Sequence, residues 1–401
     1  MLDVDIGMRR TFSRTIGERD VPSDLSGPRV AEFFAGIGLV RMALEKHGFE
    51  IVWANDIDTS KRQLYARNFD DSHFVLKDVR EVRGGDLPNV HLATASFPCT
   101  DLSLAGNRLG LNGTQSSMFW QFARILREMR HRRPYVVMLE NVPSFGSSHN
   151  GADLHLALQR LNRLGYWCDL MVLDARHFVP QSRPRLFIIG SRAPLCEPGD
   201  WSSSPISPAW IGRFVRTHPN LQLNALPLSL PVNNGETLAD MVERMPPNDG
   251  RWWNSERQAR FVAELSPIQH ARLASMKLLR TTMWATAYRR TRAGKPAWEI
   301  RPDAISGCLR TARGGSSKQA VVEVNGDDVR VRWMTAREYA RLQGAPGYHL
   351  DNVTEGKALF GFGDAVCVPV VSWLTREYLL PLLSGELTSA TSERPQDSVR
   401  A

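Results

Sequence analysis

What this chain does without narrows its class before any motif is read. Its five cysteines, Cys99, Cys168, Cys196, Cys308 and Cys367, form no Cys-x-x-Cys pair and no Cys/His cluster at zinc spacing. That argues against a disulfide framework, and no metal site is expected. The first twenty residues are charged throughout, with no apolar stretch of signal-peptide length, and no later run is expected to reach membrane-spanning length. The expectation is a soluble, cytoplasmic, monomeric protein with no membrane partner. Acids are scarce in one window. Between residues 271 and 320 only Glu299 and Asp303 stand against eleven Lys/Arg, so this window carries +9 of a chain total of +8 and leaves the remainder near neutral. Positive charge gathered in one region points to a phosphate backbone as partner. With 401 residues the chain is long enough for more than one domain, taking ~150 residues per domain as a soft guide.

Residues 1–28 show no apolar periodicity and read as an extension. A short apolar strand over 30–34 then runs into Ala35-Gly36-Ile37-Gly38, with Leu39, Met42, Ala43 and Leu44 at helical spacing behind it. Strand, glycine turn and helix is how an α/β nucleotide site begins, since glycines let backbone approach a ligand at a helix N-terminus. The third glycine of the dinucleotide fingerprint is missing, because Arg41 stands there, which weakens an NAD reading. A second strand over 49–54 delivers Asp56 about twenty residues past the glycines, where a ribose hydroxyl needs an acceptor. A third, over 73–78, ends in Asp78, suited to an exocyclic amine such as that of adenine. Two acids at successive strand ends behind a glycine loop point to an adenosine-containing cofactor.

The stretch 94–103 places Cys99 behind Pro98 in a loop leaving a buried strand, and residues 106–114 read as a lid. Helices over 117–131 and 154–164 alternate with strands over 134–139, 166–173 and 186–190. The basic residues Arg127, Arg130, Arg132 and Arg133 suit a helix C-terminus. This alternation predicts a doubly wound, mostly parallel sheet with ligands at the carboxyl ends of its strands. Glu140-Asn141-Val142 and the turn Gln181 to Arg185 fall at such ends. Past Pro194 prolines, serines and tryptophans take over, and a second domain is expected before the chain returns through a helix at 335–343 and a last apolar helix at 359–382. Arg289, Arg290 and Arg292 are the candidate phosphate or base contacts of the basic segment, while Trp252 and Trp253 are expected to pack.

Taken in order, these motifs resemble the DNA (cytosine-5) methyltransferase family, mainly its bacterial members, over roughly residues 30–192 and 298–380. The resemblance implies an α/β, doubly wound, Rossmann-like methyltransferase sheet carrying a smaller inserted target-recognition domain. The expected parts are an extension (1–28), the catalytic domain (29–192), the recognition domain (193–333), a hinge (334–358), a return to the catalytic domain (359–385) and a tail (386–401). It implies S-adenosylmethionine as cofactor, with S-adenosylhomocysteine as product, held by Phe34, Ala35, Gly36, Ile37, Gly38, Asp56, Ile57, Asp78, Val79, Pro98, Asp364 and Ala365. Cys99, Glu140, Arg183 and Arg185 resemble the catalytic set, and Ser103, Asn141, Val142, Gln181, Gly314 and Gly315 the substrate contacts. Double-stranded DNA is the implied partner in the nucleoid, with a cognate restriction or phage-defence system as setting.

The chain departs from the family pattern at Leu39 for a glycine, Thr100 for a glutamine and Asp364 for an asparagine. Asp364 places a negative charge beside the expected methionine end of the cofactor. Methylation of cytosine in transfer RNA is the nearest alternative, disfavoured by the long variable domain and the missing Cys-Phe-Thr signature. A catalytically silent DNA-binding homologue is the other.

Overall fold

The computed structural model describes residues 27–98, 118–195, 201, 206–232, 235–279, 281–292, 294–311 and 318–388. Cys99, Ser103, Gly314, Gly315 and the lid stretch 106–114 lie outside the described residues. The apolar runs become strands β1 (Arg29–Phe33), β2 (Glu50–Asp56), β3 (Phe74–Leu76), β4 (Leu92–Ala95), β5 (Val136–Asn141), β6 (Trp167–Asp174), β7 (Pro184–Ser191) and β8 (Leu223–Asn224). They form one sheet in the order β3-β2-β1-β4-β5-β7-β6-β8. From β3 to β5 all neighbours are parallel, whereas β7 runs antiparallel to both β5 and β6. Every residue of β4 and β5 is buried, as strands covered on both faces require.

One face is covered by helices Leu39–Glu45, Thr59–Asn68 and Val368–Leu374, through residues such as Val40, Leu64 and Val371. The other is covered by Met118–Glu128 and Ala152–Arg163, through Phe119, Phe122 and Leu158. Each such side chain, wholly buried, contributes roughly 1.5–3 kcal/mol. The strand order reverses between β1 and β4, and that switch point sets the glycine loop beside the Pro98 loop. The arginines that follow Met118–Glu128 have structural partners: Arg132 donates to the carbonyls of Leu87 and Gly84, and Arg133 to that of Leu164.

A second sheet is antiparallel: β9 (Met283–Arg292), β10 (Lys295–Ile300), β11 (Gln319–Asn325) and β12 (Asp328–Trp333), in the order β10-β9-β11-β12. Helices Ser255–Ala263 and Pro267–Lys277 pack on it through Phe261, Leu273 and Met276. Trp252 and Trp253 are buried. The smaller unit starts later than the expected boundary at 193. Helix Ala209–Thr217 lays Ile211 and Phe214 on the core of the large sheet, and β8 pairs with β6. The physical reason is that β6 is otherwise an edge whose open hydrogen-bonding groups need covering.

The C-terminal return also differs from one helix over 359–382. It is Glu355–Asp364, then Val368–Leu374 with Pro369 in its first turn, a π-helical turn Thr375–Leu379 and Leu380–Leu383. By length and composition Glu355–Leu383 does match a membrane span, contrary to expectation, but 72% of its apolar 18-residue stretch is buried inside the protein, where its apolar character serves the core.

Glu32, in the middle of β1, is 1% exposed and neither carboxyl oxygen has a hydrogen-bond partner; Thr94, its register partner on β4, has an unpartnered hydroxyl too. Burial pushes the Glu32 pKa up to about 8 against the pull of Arg41, with Glu45 and Asp56 adding to the rise. A carboxyl held neutral in the folded state but ionised when unfolded costs stability as pH climbs from its ordinary value of 4.5 toward 8. Glu32→Gln is therefore expected to raise the melting temperature over wild type, by a margin that grows from pH 5 to pH 8 and reaches about 1–3 kcal/mol. A pH-independent margin contradicts this.

Candidate active site

Adjacent strand ends assemble the site. Phe33 of β1 leads into Phe34 at φ 57°, followed by Gly36 at φ 58° and Gly38 at φ 81°. A phenylalanine in the left-handed region is strained, and such strain gathers at ligand clamps. A Cβ on Gly38 would meet the rings of Phe69 and Tyr65 within 3 Å, so glycine is required there. Asp56, at the end of β2, closes the loop from the far side: its Oδ2 accepts from Gly36 N (2.9 Å) and its Oδ1 from Asp58 N (2.9 Å). Ile57 next to it is 64% exposed, a large apolar side chain left on the surface at a strand end. Asp78 caps the short turn after β3 and pairs with Arg80 at 2.6 Å; that arginine holds its carboxyl below the usual range.

These features fit the adenosine part of S-adenosylmethionine. The loop bends backbone toward the space above β1, Ile57 offers an apolar platform to a flat ring, and Asp56 and Asp78 stand at successive strand ends. Val79, by contrast, is buried and packs in the core.

Beside this loop, β4 and β5 run in parallel with Ala95 opposite Leu139, so Glu140 and Asn141 lie next to the loop that leaves β4. Asn141 Nδ2 donates to the Phe97 carbonyl (3.1 Å), and its Oδ1 accepts from Val142 N (2.9 Å). Phe97 is buried between the rings of Phe119 and Phe145. The approach to Pro98 is thereby fixed by packing and by Asn141. On β7, Arg185 sends Nε to Glu140 Oε1 at 2.9 Å, with both side chains largely buried.

The resemblance implies a catalytic role for Arg183 and a substrate contact for Gln181; in the structure both side chains bond to backbone. The Arg183 guanidinium, 2% exposed, donates to the carbonyls of Leu309 (2.7 Å), Gly363 (3.1 Å) and Ala365 (2.7 Å). Gln181 is fully buried, donating to Leu342 O (2.7 Å) and accepting from Leu309 N (3.2 Å). Both tie the catalytic sheet to Leu309, Gln181 adding Leu342 and Arg183 the C-terminal return, while the buried Arg183 Nε has no partner. The candidate DNA arginines are tied to acids as well: Arg289 to Glu264 (3.0 Å), and Arg290 and Arg292 to Glu299 (3.2 and 2.6 Å). They stay 41–65% exposed, so their heads reach solvent.

Sequence reasoning missed two groups. Cys308 brings its Sγ within 3.4 Å of Arg183 Nη1 and 3.9 Å of Arg185 Nη2. Burial works against its ionisation, yet Arg183 and Arg185 hold the thiol below the usual cysteine range. Lys61 reaches Asp364 at 2.9 Å across 303 residues of chain. Burial disfavours its charge, but Asp364 and Asp56 raise its pKa. The acids at 56 and 58 gave the only local hint, since Lys61 sits one turn beyond them. Among the described residues no cluster of His, Cys, Asp or Glu is arranged to hold a metal ion.

A family model described as C-5 cytosine-specific DNA methylase matches residues 28–379. Among curated proteins the chain is 34% identical over 166 residues to the type II methyltransferase M.HhaI of Haemophilus parahaemolyticus, covering 41% of this chain and 49% of that protein. It is 26% identical over 351 residues to the type II methyltransferase M.Bsp6I of Bacillus sp. (strain RFL6), covering 86% and 96%. Among solved structures, the S. pombe Dnmt2 methyltransferase superposes with a TM-score of 0.58 at 19% identity, over 88% of this chain and 99% of that one; at that identity the likeness speaks for the fold. The match over nearly the whole folded length, with the glycine loop, the strand-end acids and the Glu140–Arg185 pair in one place, makes this chain a member of the C-5 cytosine-specific DNA methylase family, an S-adenosylmethionine-dependent DNA (cytosine-5) methyltransferase.

Proposed function

We propose that the chain methylates a cytosine turned out of duplex DNA through a covalent bond between that base and Cys99. The observation that carries this reading is the Glu140–Arg185 pair, which lies beside the approach to Pro98 that Asn141 holds through the Phe97 carbonyl. Carbon 5 of cytosine is a weak nucleophile. The Cys99 thiolate adds to carbon 6, and its electron pair makes the ring an enamine. Glu140 hydrogen-bonds or protonates ring nitrogen 3, which offsets the charge arriving with the thiolate, and Arg185 holds the Glu140 carboxyl in place. S-adenosylmethionine supplies the electrophilic methyl group when bound. Once carbon 5 carries the methyl, loss of its proton re-forms the ring double bond and breaks the carbon–sulfur bond, freeing Cys99. A base inside the stack is out of reach of these groups, which is why the reading includes base flipping.

Arg289, Arg290 and Arg292 supply charge that duplex phosphates can take over from Glu264 and Glu299. The type II names of the relatives support a restriction-modification setting.

The test is labelled methyl transfer to duplex DNA of mixed sequence and, in parallel, to transfer RNA, with the product base mapped. Methyl at carbon 5 of cytosine in DNA supports the reading; transfer to RNA alone moves the substrate to the RNA branch. Arg185→Lys keeps the charge but loses the planar fork that meets the Glu140 carboxylate. It is expected to lower kcat ~10–100-fold, with the melting temperature nearly unchanged. Unchanged kcat would remove Arg185 from the account.

A further inference from the structure

We infer that Lys61 and Asp364 work as one unit that fits the last glycine motif of this chain to the carboxylate at the methionine end of its cofactor. The inference rests on the proposed function and on the family resemblance, which implies that Asp364 stands at the methionine end of the cofactor. A lone carboxylate there would repel the cofactor's own carboxylate. In this chain it is not alone. Lys61 Nζ lies 2.9 Å from Asp364 Oδ2, and Thr311 Oγ1 donates to Asp364 Oδ1 at 2.8 Å, so both oxygens are engaged. The Lys61 side chain is only 16% exposed, with its ammonium 5.5 Å from the Phe360 ring. A lysine so enclosed needs fixed anions, and an amide at 364 would remove the one that it touches, leaving only the charges of Asp56 and Asp58.

The pair also joins three parts of the fold. Lys61 sits in the first turn of Thr59–Asn68, whose N-cap Asp58 accepts from Lys61 N (3.0 Å), next to the Asp56 that closes the glycine loop. Asp364 ends Glu355–Asp364. Thr311 belongs to the segment leading toward Gly314-Gly315, and the backbones meet so closely that a Cβ on Gly363 would lie 2.4 Å from Arg310 C and Thr311 N. Lys61 is thus a positioning residue. It cancels the charge of Asp364 and fixes the side chain relative to the glycine loop.

The test is calorimetric titration of S-adenosylhomocysteine into the full chain without DNA, for wild type, Lys61→Gln, Asp364→Asn, the double variant and Lys61→Arg, with melting temperatures alongside. Lys61→Gln is expected to weaken binding ~10-fold or more, a gap that narrows as salt is raised. The double variant and Lys61→Arg are expected to return to within about threefold of wild type. Equal affinity of Lys61→Gln and wild type overturns the inference. So does a double variant as weak as Lys61→Gln, which would make Lys61 important for some other reason. Should Lys61→Gln fail to fold, the comparison of Asp364→Asn with the double variant decides: once the carboxylate is gone, removing Lys61 must cost little. Wild type that binds S-adenosylhomocysteine but leaves DNA unmethylated counts against the proposed reaction and not against this pair.

Discussion

Cys99→Ala is expected to remove methyl transfer, a loss of ~10⁴-fold or more, while leaving cofactor and DNA binding in place. Without a thiolate there is no route to a nucleophilic carbon 5, and none of the residues at the neighbouring strand ends, Glu140, Asn141 or Arg185, can form the missing bond. The chain contains an internal control. Cys308 is the thiol that the structure sets against Arg183 and Arg185, and the arginines hold it below the usual range in spite of its burial. On electrostatics alone it competes with Cys99 as the nucleophile. Its position argues otherwise: it lies at the joint where Arg183 grips Leu309, Gly363 and Ala365, and its Sγ lies 3.4 Å from the Leu309 carbonyl. Cys308→Ser should thus keep activity within a few-fold. Steady-state rates for the two variants decide the matter, and a dead Cys308→Ser beside an active Cys99→Ala would reverse the assignment.

Glu338→Ala is expected to cost about 3–5 kcal/mol of stability. Glu338 and Arg332 are both 0% exposed, joined by two hydrogen bonds, one of 2.8 Å from Arg332 Nη1 to Glu338 Oε2 and a shorter one from Nη2 to Oε1. The same carboxylate accepts from Glu243 N (2.7 Å) and Thr335 N (2.8 Å), and the Arg332 guanidinium lies 5.3 Å from the centre of the Trp252 ring. Removing the acid strands a buried guanidinium and two backbone donors at the joint between the small sheet and helix Ala336–Leu342. Thermal unfolding should show a drop of roughly 5–10 °C. Replacing both partners with apolar residues of similar volume should recover much of it, because the cost lies in the unpaired charge. A drop under one degree for the single variant contradicts this.

Both expectations depend on residues whose types were visible in the sequence and whose surroundings were not. The glycine loop, Asp56, Asp78 and Glu140 were legible because each belongs to a local pattern: an apolar run, then a turn or an acid. The helix at 335–343 was legible, but neither the capping box that joins Thr335 to Glu338 nor the part of Glu338 in a buried ion pair was read from the sequence. Partners distant in sequence leave no such trace. Nothing in β7 says that it runs antiparallel to both neighbours, since fully buried strands of either direction read as the same apolar run. The family resemblance implies a substrate contact at Gln181 and a catalytic role at Arg183. Only the approach of residues 308–309 and 363–365 shows their hydrogen bonds directed to backbone instead. Asp364 likewise reads in the sequence as a lone negative charge, whereas the fold sets Lys61, 303 residues away, beside it.

The measurement that tests the central claim most directly is trapping on duplex DNA containing 5-fluorocytosine. Fluorine at carbon 5 cannot leave as a proton does, so a base that has bonded to a thiol and taken a methyl group stays bonded. The account predicts a denaturation-resistant protein–DNA complex that requires S-adenosylmethionine, is absent in Cys99→Ala and yields a modified peptide at Cys99. Efficient methylation of ordinary DNA with no trapped complex, or a complex whose modified peptide contains Cys308 instead, would contradict it.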